Sequence, residues 1–162
     1  MPESSYHHPL FGEVRFSTKH EDRWVRGDRI MFISGFNEQD VPLLFVPQLL
    51  NIPGTKEGEI RFHVRGHAQL LAAFAMIESE GLLRHVKTCA GTWNKRLRKP
   101  TSGATSKLPS NHAFGIAIDL NEEDPGFGDS VAPVAPIFES FGFTWGEAFN
   151  DPMHFEIRQF LP

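Results

Sequence analysis

The run Ser110-Asn111-His112-Ala113-Phe114-Gly115-Ile116-Ala117-Ile118-Asp119-Leu120 decides how this chain is read. From Phe114 to Leu120 it is apolar and strand-like. Gly115 lets the backbone bend or approach a neighbour closely, so His112 falls before the strand and Asp119 near its end. Asp119 is flanked by Ile118 and Leu120 in a segment that reads as buried. A carboxylate in such a place needs a partner, and a cation is a good one.

Thirty-odd residues downstream lies Asp151-Pro152-Met153-His154-Phe155-Glu156. His154 opens another strand-like run, and a turn through Pro152 can bring Asp151 to the same place. A catalytic zinc needs three protein ligands and one open position for water. The chain has a single cysteine, Cys89, which excludes an intramolecular disulfide and any multi-cysteine cluster. Any metal must therefore sit on imidazoles and carboxylates, and His112, Asp119 and His154 are the set proposed by the pattern. A nearby carboxylate must then take a proton from the attacking water and pass it to the leaving amine. Asp151 is separate from the three ligands yet close to one of them, which makes it the general-base candidate. Glu156 shares a strand face with His154. It reads equally as a group orienting a ligand and as a solvent-facing charge.

Working outward, 162 residues fit one domain, with 40% hydrophobic and 22% charged residues, near the globular average. The net charge of −4 argues against nucleic-acid binding. No apolar run is long enough for a membrane span, and the opening residues lack the basic and apolar segments of a signal peptide. Strands are expected at 11–16, 30–33, 41–46, 59–64, 85–90, 114–120, 143–146 and 153–157. Helices are expected at about 66–80, with Gly81 as a left-handed cap, and at 133–140. Residues 100–109 read as a loop, and residues 1–30 as an extension of unassigned structure. Strands and helices that do not alternate regularly point to α+β, with one small antiparallel sheet, helices on one side and the metal on the open face.

The 110–119 run resembles the SxHxxGxAxD signature of the D-alanyl-D-alanine carboxypeptidase family. That family includes VanX- and VanY-type enzymes and phage L-alanyl-D-glutamate endopeptidases. Trp145-Gly146 through Asp151-Pro152-Met153-His154-Phe155-Glu156 resembles its second signature, and the likeness extends over about 59–158. The resemblance implies a hedgehog/DD-peptidase-like fold and one Zn2+ on His112, Asp119 and His154, with Asp151 as base. It implies that Arg96, in the stretch Gly91-Thr92-Trp93-Asn94-Lys95-Arg96, stabilises the oxyanion or grips a substrate carboxylate, with Arg98 two residues away as the alternative. It also implies that Ser110 helps bind substrate. Trp145 and Trp93 are placed in the substrate groove or in the core. The implied substrate is a peptidoglycan stem peptide, cut at D-Ala-D-Ala or at L-Ala-D-Glu. The implied enzyme is a monomer made in the cytoplasm that reaches the cell wall by another route. In this chain Glu147 and Phe149 stand where many relatives carry Gly and Trp.

Two rivals from other classes are a non-catalytic zinc-containing binding module, as in hedgehog signalling domains, and a metal-stabilised structural protein of a phage particle. His63 and His67 have the four-residue spacing of a helical zinc pair, but no glutamate follows the first and a strand-to-helix boundary separates them. They are read as a decoy. His7, His8, His20 and His85 are read as surface residues, and Cys89 as a small buried one.

Overall fold

Alternating apolar positions give this chain short strands, and fifteen phenylalanines give those strands bulk to bury. The computed structural model describes residues 3–20, 27–98, 107–122 and 129–162. In chain order these form β1 (Glu3–His8), β2 (Gly12–Lys19), β3 (Arg29–Ser34), β4 (Leu43–Phe45), β5 (Glu59–Arg61), α1 (His67–Ser79), β6 (Cys89–Ala90), β7 (Ala117–Leu120), α2 (Ala135–Ser140), β8 (Phe143–Trp145) and β9 (His154–Ile157). The fold is α+β. The described strands pair antiparallel in three sheets rather than the single one expected: β1-β2-β3, β4-β5, and a four-stranded sheet ordered β6-β7-β9-β8.

The four-stranded sheet has two unlike faces because successive side chains alternate. Its β7–β9 register pairs Ile118 with Phe155, and Asp119 with His154. Phe155 lies on the helix side, stacked on Phe138 of α2 with ring centroids 4.5 Å apart. Phe138 in turn meets Phe74 of α1 edge-on. Leu70, Ala73, Phe74 and Ile77 recur at helical spacing and are buried. Helix α1 ends as its sequence predicts: Gly81 adopts φ +71°, its N–H bonds to Glu78 O, and Leu82 N–H reaches back to Ile77 O. That is a Schellman arrangement. Buried Gln69 ties α1 to the chain end, donating to Phe141 O and Gln159 O and accepting from Leu161 N.

Several expected strands are shorter than their sequence pattern. Phe114 closes a 3-10 turn over Asn111–Phe114, and Gly115 at φ +69° ends it, so β7 starts only at Ala117. A Cβ on Gly115 would lie 2.6 Å from Val41 Cγ1. Strand β5 stops at Arg61 because Phe62 N–H then bonds to Pro42 O and His63 N–H to Gly115 O. The expected strand at 85–90 keeps only Cys89–Ala90, since 83–85 is a 3-10 turn. Residues 100–106 of the expected loop lie outside the described residues.

The N-terminal residues also carry structure that the sequence pattern did not reveal. Strands β1 and β2 form a hairpin through Pro9–Phe11, and β3 joins them. His8, expected at the surface, is 2% exposed. Phe11 and Phe114 pack on its ring, with centroids 4.8 and 4.4 Å away. His7 points the other way into solvent, as alternation requires.

Candidate metal centre

The polar face of the four-stranded sheet gathers residues from three segments. His112 comes from the 3-10 turn before β7, held by Ser110, whose hydroxyl accepts the His112 N–H at 3.2 Å. Asp119 lies on β7 and His154 directly opposite on β9. One donor atom from each of the three lies within 4.8 Å of the others. His112 Nε2 is 3.3 Å from Asp119 Oδ2, and His154 Nδ1 is 3.2 Å from Asp119 Oδ1. Among the described residues these three form the one such cluster.

The loop after β8 brings in the fourth group. A Cβ on Gly146 would sit 2.1 Å from Asp151 O and 3.0 Å from His154 Cβ, so only glycine lets this turn fold down on His154. Asn150 closes the turn at φ +62°. Asp151 N–H then bonds to Gly146 O, and Asp151 Oδ2 stands 3.8 Å from His154 Nδ1 with its side chain 39% exposed. Asp151 is thus beside the cluster and open to solvent.

The electrostatics are those of a cation site. Burial alone would raise the Asp119 carboxyl, but hydrogen bonds and charge from His112 and His154 overcome it and hold the group down to about 2. Burial would lower His154, but Asp119 and Glu156 overcome it and lift the imidazole to about 9. Burial opposes ionisation of Glu156 too, yet His154, Asn111 and the charge of Arg98 keep it below the usual range. Glu156 is therefore a partner of His154, bonded at 2.7 Å to its Nε2, and not a free surface charge.

Zinc fits this donor set. Two imidazoles and a carboxylate are borderline and hard donors of the kind it takes. Bonds of about 2.0–2.2 Å put tetrahedral ligand atoms roughly 3.3–3.6 Å apart, near the spacings seen here.

Residues 103–157 match the family model described as D-alanyl-D-alanine carboxypeptidase, roughly a third of the chain. Over that stretch the chain is similar to that family. The matched stretch contains His112, Asp119, Asp151 and His154, together with residues 103–106 and 123–128, which lie outside those described. No curated protein and no solved structure matches the chain.

Of the other residues singled out in the sequence, Trp145 takes the core reading. Trp145 pairs with Phe155 and stacks on it at 6.5 Å and 12°, so it lies on the helix-packed face of the sheet, and its Nε1 donates to Pro152 O. Arg96 Nη1 donates to Gly27 O at 3.2 Å, towards the N-terminal strands. The charge of Arg98 instead acts on Glu156 and His8. His63 and His67 hold local backbone, with His63 Nδ1 accepting Arg65 N–H and His67 Nε2 bonded to Phe62 O. Cys89 is 1% exposed, and burial pushes its thiol up to about 12. Glu147 is exposed at the start of the 146–149 turn.

A groove of about 340 Å³ has Trp93 on its wall, one of the two places the sequence offered for that residue. Leu43, Arg61, Ala90, Gly91, Thr92 and Trp93 help line it. It borders the cluster, since Ala90 pairs with Asp119 and a Cβ on Gly91 would be 3.5 Å from Asp119 Oδ2. The Arg61 guanidinium stands 5.7 Å from the centre of the Trp93 ring.

Proposed function

We propose that this peptidase is a zinc enzyme that removes the terminal residue of peptidoglycan stem peptides, as a D-alanyl-D-alanine carboxypeptidase. The observation that carries the reading is the convergence of His112, Asp119 and His154 beside a solvent-open Asp151. His112, Asp119 and His154 would hold the ion. Zinc, when bound, supplies a Lewis acid and makes water acidic enough to attack at neutral pH. Asp151 takes the proton of that water at Oδ2 and delivers it to the leaving amine. The groove beside Asp119 receives the peptide, with the Trp93 face against its apolar part. Arg61 meets the terminal carboxylate through a charge-assisted pair. For the oxyanion the sequence offers Arg96, or Arg98 two residues on, whose charge acts on Glu156. One chain supplies every group, so a monomer suffices, and the action is at the cell wall.

The endopeptidase reading has support of its own: the groove is shallow and flanked by exposed Leu43 and Lys56, room for a chain that continues past the cut. Mass analysis of purified muropeptides after incubation with the enzyme separates the two. Loss of one terminal alanine supports the carboxypeptidase, whereas release of the peptide beyond its first alanine supports the endopeptidase. No cleavage of any muropeptide by the zinc-loaded protein, or cleavage untouched by a chelator, overturns the zinc-peptidase reading.

A further inference from the structure

A line of hydrogen bonds runs from the proposed metal ligand His154 away from the cluster to the N-terminal hairpin. His154 Nε2 meets Glu156 Oε1 at 2.7 Å. The other carboxylate oxygen of Glu156 accepts from Asn111 Nδ2. Asn111 Oδ1 meets His8 Nε2 at 2.8 Å. His8 Nδ1 accepts the Leu10 N–H at 3.0 Å.

The direction of every bond follows from the last one. A backbone N–H can only donate, so His8 Nδ1 is the acceptor and carries no proton. The ring is buried among Tyr6, Phe11 and Phe114, where burial lowers its basicity and keeps it neutral. Its one proton is then on Nε2, which donates to Asn111 Oδ1. The Asn111 amide is thereby oriented, with its NH2 turned to Glu156. Glu156, an ionised acceptor at both oxygens, takes a hydrogen bond from His154 Nε2–H. Once a cation displaces the second proton of His154, the lone pair is left on Nδ1, the atom that faces Asp119.

We infer that His8 is a positioning residue of the metal centre: through Asn111 and Glu156 it fixes the tautomer and ring orientation of His154. The N-terminal hairpin is therefore part of the site, acting through Asn111. Strands β1 and β2 hold His8 in place by register, with His8 opposite Gly12 and Tyr6 opposite Val14. Partners of this outer kind typically change metal affinity 10–100-fold when removed. The inference rests on the zinc reading above.

The test compares zinc affinity by chelator competition in the full chain and in His8→Phe and His8→Gln. The phenylalanine keeps the aromatic packing and removes the donor, whereas the glutamine amide can still donate to Asn111. The expected result is affinity about tenfold lower in His8→Phe, a shifted visible spectrum of its cobalt-substituted form, and partial recovery of both in His8→Gln. Unchanged affinity and spectrum in a folded His8→Phe overturn the inference while leaving the zinc reading intact. A wild-type protein that binds no zinc overturns the zinc reading instead. Imidazole 15N shifts of the zinc-loaded wild type provide a check independent of any variant. Protons on Nε2 of both His8 and His154 are expected, and a proton on Nδ1 of either contradicts the relay.

Discussion

His63 and His154 are both almost wholly buried, 2% and 6% exposed, yet their surroundings drive them in opposite directions. His63 sits among Phe11, Phe36 and Phe160, and burial takes its basicity down to about 4. His154 sits between Asp119 and Glu156, and those two carboxylates overcome burial and raise it to about 9. The first is a core residue that caps a turn. The second is poised for a cation. What separates them is the pair of carboxylates that β7 and β9 bring to one face, and neither depth nor residue type would tell them apart.

The largest effect expected from this contrast is on metal binding. Asp119→Ala should weaken zinc binding by at least roughly 1,000-fold, whereas His63→Phe should leave it within about twofold because it shares no partner with the cluster. Isothermal titration of both variants checks the pair, and comparable losses would erase the distinction. Asp151→Ala comes next. Its kcat on the true substrate should fall about 100- to 10,000-fold with zinc still bound, as expected for loss of a general base. An unchanged rate rejects Asp151 in that role.

The pH dependence sharpens the comparison further. With His154 at about 9 in the metal-free protein, zinc must displace a proton at neutral pH. Apparent zinc affinity should therefore rise about tenfold per pH unit from roughly 6.5 to 9 and then flatten. A flat profile would mean that His154 carries no proton in the empty site. The raised value also stabilises the metal-free fold; that contribution is complete below about 6.5, the unfolded value, and is lost as pH rises through about 9. His63 has the opposite sign. Its folded value lies below the unfolded one, so the unfolded state binds the proton more readily and stability falls as pH drops from about 6.5 to 4. His63→Phe should flatten that part of the acid-melting curve, the smallest of these effects. Thermal melts of the chelated protein across the window measure both.

The sequence made the His112–Asp119–His154 cluster legible because its signals are local. His112 precedes one apolar strand and Asp119 lies within it, with a glycine between them, and Asp151 precedes His154 by one turn. The helix at 67–79 was equally plain, since its apolar spacing and Gly81 agree. His8 was not legible, because one histidine in a polar N-terminal stretch carries no periodic signal, and its burial depends on Phe11 and on Phe114 a hundred residues away. The alternation of Tyr6 and His8 opposite Val14 was the available clue. Strand lengths failed for a related reason. Ser110 caps a 3-10 turn and Gly115 takes a left-handed conformation, so the apolar run 114–120 is only partly extended. The role of Trp145 turned on which face of β8 it occupies, which only the β8–β9 register fixes.

X-ray absorption at the zinc edge of the loaded protein addresses the central claim most directly. The account predicts one zinc per chain with two imidazole nitrogens, one carboxylate oxygen and a further light ligand from solvent, at about 2.0–2.2 Å, and loss of the carboxylate contribution in Asp119→Ala. A shell without two imidazoles, or a spectrum that Asp119→Ala leaves unchanged, would contradict it.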